Sequence, residues 1–282
     1  MNLFQRISIY FVLVILAIPA LLPMAWMTST SLKSDKQIFA TEGKAAPTVS
    51  LRSLVPSPVQ WKNYPDALSK VPFRTYLRNT VMLCAVTVFG VVLSSAIVAY
   101  GFARCTFAGK PLFFIAMIST MAVPPQVTMV PIFVLFKWLG WYGTYLPLIV
   151  PAFFGGPFYI FLLTQFFRKL PEDMAEAARL DGAGDWGIFT RIVLPLAKPA
   201  LATCAIFQFI GTWNDFLGPL LYLNKPSNYT VAYGLQQFMS KNGGQWSLLM
   251  AGATIFTLPL IILFFFAQKT FIQGIATTGA RN

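Results

Sequence analysis

The chain alternates long apolar segments with shorter polar ones. Several apolar segments reach the roughly 20 residues that a helix needs to cross a bilayer. They cover approximately residues 7–27, 80–102, 112–136, 146–167, 200–221 and 248–267. The apolar runs are continuous and do not alternate with a period of two, so they favour helices over the strands of a membrane barrel. The pattern predicts an all-α polytopic membrane protein with six transmembrane helices.

The first apolar segment, residues 7–27, has the position of a secretory signal peptide. It is long for such a peptide, lacks a clear cleavage site and is followed by further apolar segments, which favours a retained span. Pro19 and Pro23 are expected to kink or end this helix because proline lacks a backbone donor. The polar residues 28–74 that follow are predicted to form either an ordered loop or, in their second half, a short amphipathic helix at the membrane interface.

Two other predicted spans carry helix-breaking residues. Pro124 and Pro125 remove two adjacent donors from the third span and bar a straight helix there. This break indicates either the wall of a pathway or a packing kink, since freed carbonyls at membrane depth must face protein or a water-filled cavity. Gly155, Gly156 and Pro157 predict a distortion or a close-packing point in the fourth span.

Composition agrees with this class and excludes others. Hydrophobic residues make up 56% of the chain, charged residues make up 11%, and histidine is missing from the sequence. The net charge of +12 is spread along the chain, which favours anionic lipid and loop positioning over nucleic acid as its partner. The three cysteines have no metal-binding spacing and are interpreted as packing residues. We therefore predict no bound cofactor and no metal, and a membrane enzyme is disfavoured.

Asp215 is the acidic residue that falls inside or at the edge of a predicted span, the fifth. Because a carboxylate is costly in hydrocarbon, a functional or pairing role is the first hypothesis, and a solvated position at the interface is the alternative. An ion-coupled secondary transporter that uses Asp215 is the rival function. Uptake that collapsed under an ionophore with ATP intact would favour it.

The stretch from Pro171 to Pro199 concentrates the acidic residues of the chain. It holds five of the nine: Glu172, Asp173, Glu176, Asp181 and Asp185. A first helix is predicted over 174–180 with Pro171 in its first turn, and Gly182 is expected to end it. A second helix is predicted from Asp185 to Pro195. Two short helices at an angle would form a knob outside the membrane that fits a groove on a soluble partner.

The same stretch carries a recognisable motif. Glu176-Ala177-Ala178 is followed after three residues by Gly182 and after nine more by Ile192, one residue, Leu194 and Pro195. Order and spacing match the EAA motif of binding-protein-dependent ABC transporter permeases. The segments 100–104 (YGFAR) and 213–215 (WND) also resemble the carbohydrate-importer branch, which contains the maltose permease MalG. The resemblance covers roughly residue 73 to the C-terminus.

The resemblance implies a type I ABC importer permease fold with both termini in the cytoplasm. Basic residues do not decide the orientation by themselves, with ten on one side and eleven on the other. The EAA loop of the family docks on a cytoplasmic ATPase, which implies a coupling role for Glu176, Ala177, Ala178, Gly182, Ile192, Leu194 and Pro195. The implied partners are a second homologous permease subunit, two ATP-binding subunits and an extracytoplasmic substrate-binding protein. ATP hydrolysis is expected on the separate subunits, because the sequence has no phosphate-binding loop.

The resemblance also divides the chain and suggests its substrate. It implies a first span and extracytoplasmic loop over 1–74, a permease core over 75–270 with the coupling loop at 171–196, and a cytoplasmic tail over 271–282. A sugar or oligosaccharide is the expected substrate, and the choice among neutral sugars, anionic saccharides and polyols stays open. Candidate path residues with groups that suit sugars are Gln126, Gln208, Trp213, Asn214 and Asp215; hydrogen bonding between helices is the alternative for each. The expected location is the plasma membrane of a prokaryote, which is the inner membrane in a Gram-negative cell.

Overall fold

The protein is described by a computed structural model covering residues 2–39, 55–239 and 244–279. Some residues of the predicted loops and tail lie outside these ranges. They are Lys44 and Arg52 of the first polar loop, residues 241–243 of the later loop and the last three residues of the tail. Helices and short helical turns dominate the described residues, and no strand occurs among them. The helices α1 to α15 are Leu3–Ser31, Asp35–Phe39, Asn63–Lys70, Phe73–Arg104, Lys110–Ser119, Pro125–Trp138, Leu146–Ile149, Pro157–Lys169, Asp173–Leu180, Asp185–Ile188, Leu194–Leu196, Lys198–Trp213, Leu217–Tyr222, Val231–Leu235 and Trp246–Gly279.

Four helical segments of the described chain are long and apolar enough to cross a membrane. They are Leu3–Ser31, Phe73–Arg104, Leu146–Lys169 and Trp246–Gln268. Two bent pairs pass the same test when each is taken as one span: Lys110–Ala122 with Pro125–Trp138, bent by 99°, and Asp185–Leu196 with Lys198–Trp213, bent by 77°. The prediction of an all-α membrane protein is confirmed, with four to six candidate spans.

The chain divides into two compact units. The first comprises Met1–Arg74 and Gly234–Ile261. Within it, the Asn63 side-chain amide donates to the carbonyls of Ser31 and Lys33, each at 2.8 Å. The Asp35 carboxylate accepts the Ser247 backbone N–H at 2.9 Å, next to the start of α15. The two Asn63 bonds fasten α3, the short helix predicted as one alternative for the polar segment, to the end of α1, and the Asp35 bond fastens α2 to the start of α15.

The second unit comprises Thr75–Tyr233 and Ile262–Asn282. Within it, a buried hydrophobic cluster joins the C-terminal half of α4 to α8, the start of α12 and the segment between α8 and α12. The cluster members with less than one-tenth of their surface exposed are Ala96, Ala99, Tyr100, Phe102, Ile160, Leu163, Phe167, Ala175, Ile188, Phe189, Val193, Ala197, Ala200 and Cys204. Residues of the EAA stretch are therefore part of the core and not an independent appendage.

The two predicted helix breaks occur where expected. The third apolar segment turns at Val123 and Pro124, between the end of the 3₁₀ turn Thr120–Ala122 and the start of α6. The fourth turns at Gly155, which has a φ of +81° that suits glycine, between the 3₁₀ turn Val150–Phe154 and α8.

Two local predictions about where helices end were wrong. Helix α1 does not end at Pro19 or Pro23 but continues to Ser31, because in a long helix each proline leaves the hydrogen bonds of the other residues intact. The predicted fifth span does not run unbroken to residue 221, since α12 ends at Trp213. There the Asn214 amide donates to the Ile210 carbonyl at 2.9 Å, a local bond that competes with helix continuation.

Candidate functional site

The EAA stretch forms two helical segments joined by a sharp turn. Helix α9 ends at Leu180 and Gly182 follows with a φ of +83°. The Gly182 N–H bonds the Arg179 carbonyl at 3.0 Å, and the Ala183 N–H bonds the Ala178 carbonyl at 2.8 Å. This pair of bonds is the Schellman arrangement that closes helices at a left-handed glycine. The predicted role of Gly182 as the residue that ends the helix is thus seen in the backbone.

The edges of the two helices differ slightly from the predicted ones. Pro171 lies before α9, which begins at Asp173, so the proline is outside the first turn. The second segment begins at Asp185 as predicted, but it continues through the π-helical turn Phe189–Val193 and through Pro195 to Leu196. Pro195 occupies the first turn of α11, where its missing N–H is not needed, so the chain bends only at Ala197.

One face of the EAA stretch is packed against the spanning helices. Ala175 is 5% exposed, and Ile188, Phe189 and Val193 are each 3% exposed or less. The Phe189 ring lies 5.1 Å from the Tyr100 ring of α4, centroid to centroid. The burial of these four side chains and the contact between the two rings attach the EAA stretch firmly to α4.

The opposite face is open and combines a carboxylate with apolar side chains. Glu176 and Ala177 are exposed, next to the buried Ala175 on the same helix. The exposed fraction is 89% for Leu180 and 64% for Trp186. A charged side chain beside small and large apolar groups is typical of a docking surface, because such groups gain most when a partner covers them.

The remaining motif residues lie between these faces. Ala178, Ile192 and Leu194 are half-buried and pack against the core cluster, and Pro195 is exposed. Arg179 and Asp185 face each other across the Gly182 turn with an N–O distance of 3.7 Å. Both side chains are largely exposed, so this ion pair contributes only roughly 0 to 1 kcal/mol. The packing of the buried face, not this pair, holds the two helices together.

A polar cavity of about 330 Å³ lies in the second unit, between α4, α12 and α13. Its walls are formed by Thr80, Leu83, Thr87, Leu148, Gln208, Gly211, Thr212, Asp215, Pro219 and Thr230. The Thr212 hydroxyl is 3.0 Å from the Thr87 hydroxyl and accepts a 3.0 Å bond from the Gln208 amide. The Asp215 carboxylate accepts the Gly218 N–H at 2.9 Å. Hydroxyl, amide and carboxylate groups of this kind can bind hydroxyl-bearing ligands.

The structure brings only two of the candidate path residues to this cavity, Gln208 and Asp215. Trp213 is 2% exposed and stacks on Phe209, with ring centroids 5.4 Å apart. Asn214 is exposed and bonds its own helix, and Gln126 is exposed in the first turn of α6. Within the described residues, no group of three or more His, Cys, Asp or Glu side chains could hold a metal ion.

Sequence reasoning missed several residues that the structure brings to the cavity or the EAA stretch. Thr80 and Thr87 are seven residues apart on α4, two helical turns, which places both on the cavity face. This spacing is visible in the sequence, but it does not predict a cavity, because threonine is also common in the helix interiors of membrane proteins. The sequence predicts no role for Tyr100 and Arg104 beyond their place in the YGFAR segment, although Tyr100 contacts the EAA stretch and Arg104 contacts its start.

Comparison with known proteins decides the family. Residues 96–277 match the family described as "Binding-protein-dependent transport system inner membrane component". The chain belongs to this family. The predicted resemblance is therefore confirmed, and the match spans both the EAA stretch and the helices to which it is attached.

Curated relatives of the family match nearly the whole chain. The probable ABC transporter permease YurM of Bacillus subtilis is 33% identical over 98% of this chain and 88% of its own length. The arabinooligosaccharide permease AraQ of Bacillus subtilis and the trehalose/maltose permease MalG of Thermococcus litoralis are each 31% identical, over 98% of this chain and 96% of their own lengths. The chain is thus the permease component of a binding-protein-dependent ABC importer and a multi-pass membrane protein.

A solved structure agrees with the fold. A chain of a bacterial ABC transporter involved in the import of the acidic polysaccharide alginate superposes with a TM-score of 0.78. The match covers 95% of this chain and 98% of that chain at 23% identity. Since identity is low, this similarity supports the ABC importer permease fold alone.

Proposed function

We propose that this permease forms half of the translocation path of an ATP-driven sugar or oligosaccharide importer and couples to a cytoplasmic ATPase through residues 171–196, hereafter the coupling loop. The observation that carries the proposal is the two-sided packing of the loop. Glu176 and Ala177 are open to a partner, while Ala175, Ile188 and Phe189 are buried in the core. A displacement of the open face by the ATPase would be transmitted to the spanning helices through the buried face.

The proposed assembly contains this chain, a second homologous permease, two ATP-binding subunits and an extracytoplasmic binding protein. Glu176 supplies the charged contact with the ATPase, Ala177 and Ala178 permit close approach, and Gly182 makes the turn. Closure of the ATPases moves the coupling loop as a body and switches the path between inward and outward access. Ile192, Leu194 and Pro195 continue the loop into the core.

The proposed topology has six spans with the coupling loop and both termini in the cytoplasm. Residues 1–74 supply the first span and an extracytoplasmic loop, residues 75–270 the permease core and residues 271–282 the cytoplasmic tail. Helix α15 runs to Gly279, so most of this tail continues the last span as helix. The membrane is the plasma membrane of a prokaryote, the inner membrane if the cell is Gram-negative.

The substrate proposal combines the relatives with the cavity. AraQ and MalG are named for arabinooligosaccharide and trehalose/maltose transport. Gln208 and Asp215 present polar groups in a cavity of about 330 Å³, which suits sugar hydroxyls. Gln126, Trp213 and Asn214 line the path only if other states of the transport cycle expose them to it.

Charge reversal at Glu176 tests the coupling assignment. In the full transporter, we expect Glu176→Arg to reduce the ATPase that co-purifies with this chain at least about tenfold, because reversing the proposed charged contact places like charges opposite each other in the docked interface. The matched control is Asp66→Arg on α3, in a segment proposed to face the opposite side of the membrane. It should leave co-purification unchanged. Equal recovery of ATPase with Glu176→Arg would show that the loop does not dock as proposed.

Asp215 distinguishes the rival, ion-coupled function. We expect Asp215→Asn to keep uptake within about twofold, because the amide oxygen still accepts the Gly218 N–H and the amide still offers hydrogen-bonding groups to sugar hydroxyls. Asp215→Ala loses this acceptor and should cost about 1 kcal/mol of stability. Uptake is measured in vesicles with ATP held constant and an ionophore added. Loss of uptake in a folded Asp215→Asn protein, together with collapse of wild-type uptake under the ionophore, would favour ion coupling.

A further inference from the structure

The last turn of α4 holds a buried guanidinium that contacts the start of the coupling loop. The Arg104 side chain is 8% exposed, and one of its terminal nitrogens, Nη2, donates to the backbone carbonyls of Phe167 and Leu170 at 2.9 and 2.5 Å. The other, Nη1, lies 3.6 Å from the Glu172 carboxylate, one residue before α9. The Arg104 side chain thus connects the end of α4 to the end of α8 and to the residue that precedes α9.

The carbonyl bonds dominate this contact. Both carbonyls lie at the C-terminal end of α8, where a cation complements the helix dipole. The Phe167 carbonyl also accepts the Leu170 N–H at 3.3 Å. The Glu172 side chain is 68% exposed, so its ion pair with Arg104 is screened by solvent and contributes little. By contrast, the two carbonyl bonds are made by a buried, charged donor and are of the stronger kind.

Arg104 and Tyr100 lie one helical turn apart on α4 and therefore on the same face. Tyr100 contacts Phe189 in the second half of the coupling loop, whereas Arg104 contacts its beginning. The beginning and the second half of the loop are thus attached to a single turn of α4. The same helix lines the polar cavity with Thr80, Leu83 and Thr87. A movement of the loop that is transmitted at this turn would reach the cavity along one continuous helix.

We propose that Arg104 is a positioning residue that fixes the start of the coupling loop to α4, so that loop movement is converted into movement of the cavity wall. The proposal rests on the proposed function, in which the loop receives the movement from an ATPase. Arg104 touches neither substrate nor nucleotide in this scheme. Its effect is on the amount of substrate moved for each ATP hydrolysed.

The test uses the complete transporter in proteoliposomes with its binding protein and ATPases. For Arg104→Met we expect the co-purifying ATPase to stay within about twofold of wild type, while substrate transported per ATP falls at least tenfold. Arg104→Lys keeps the positive charge but loses the planar, forked guanidinium, so we expect the substrate transported per ATP to fall about threefold. For Glu172→Gln we expect the substrate transported per ATP to stay within about twofold of wild type, because the exposed ion pair is the minor contact.

Arg168→Met is the matched control. Arg168 is an exposed arginine in the last turn of α8, with its guanidinium 5.3 Å from the centre of the Phe114 ring. The substitution removes the same charge close to the same carbonyls without breaking a bond to them. Substrate per ATP should stay at the wild-type value. A loss equal to that of Arg104→Met would mean that net charge, and not the carbonyl contact, is responsible, and would overturn the proposal.

The measured ratio separates positioning from simple destabilisation. A purely structural role would lower transport and ATP hydrolysis together and leave substrate per ATP unchanged, which would overturn the proposal. If Arg104→Met does not fold, the lysine variant decides, and a wild-type ratio in that folded variant would equally overturn it. Failure of the proposed function shows itself differently, because no ATPase would then co-purify with the wild-type chain.

Discussion

Replacing Gly182 with threonine is expected to reduce ATP-dependent uptake at least about tenfold. Gly182 has a φ of +83°, where a residue with a branched Cβ is a strong outlier. No atom lies within 4 Å of a Cβ built there, so the cost comes from the backbone and not from a clash. A penalty of about 2 kcal/mol shifts the loop away from the observed turn by about thirtyfold. Uptake and ATPase association of the purified transporter are the measurements.

The chain offers a matched control two residues away. Gly184 also has open space around it but has a φ of −74°, in the extended region, at the N-cap of α10. Threonine and glycine are about equally good at this position, so Gly184→Thr should leave uptake near the wild-type value. Equal losses in the two variants would indicate that bulk on the loop surface, and not the left-handed turn, limits coupling.

Removing the Phe189 ring is expected to detach the second half of the coupling loop. The side chain is 2% exposed and packs between the rings of Tyr100 and Trp186, with centroids at 5.1 and 5.3 Å. A buried Phe→Ala substitution typically costs about 3–5 kcal/mol through lost transfer energy and the cavity left behind. Proteolysis of the loop in the folded transporter and its thermal unfolding midpoint in detergent should report this loss.

Trp186→Ala separates packing from docking. Trp186 contacts the same ring but is 64% exposed, so its removal should cost about 1 kcal/mol or less of stability. If the open face of the loop docks on the ATPase, Trp186→Ala should instead weaken ATPase association while loop proteolysis stays near wild type. A Phe189→Ala protein as resistant to proteolysis as wild type would show that the buried face does not hold the loop.

Much of the fold could be predicted because the bilayer imposes strong patterns. A span must be long and apolar, and a break in it requires residues such as Pro124 or Gly155 that the sequence displays openly. The turn at Gly182 followed from local chemistry, since a glycine after a good helix former is a common helix end. The EAA spacing indicates the family without any knowledge of the geometry.

Other features depend on contacts between residues that are distant in sequence. Three such features have no local signature in the sequence. They are the burial of Phe189, the hydrogen bonds from Arg104 to the carbonyls of Phe167 and Leu170, and the contact of α4 with α12 at the polar cavity. The bond from the Gly218 N–H to the Asp215 carboxylate is local, but nothing near Asp215 in the sequence showed that the two would lie beside that cavity.

The sequence alone determined the membrane class, the helix breaks at Pro124 and Gly155, the Gly182 turn and the family. These follow from hydrophobic length, proline and glycine chemistry, and motif spacing, all of which act over a few residues or one span. The tertiary structure decided which face of the coupling loop is buried, which side chains attach it to α4 and which polar residues share a cavity. Those outcomes depend on how helices pack, and packing is set by many weak contacts between distant parts of the chain.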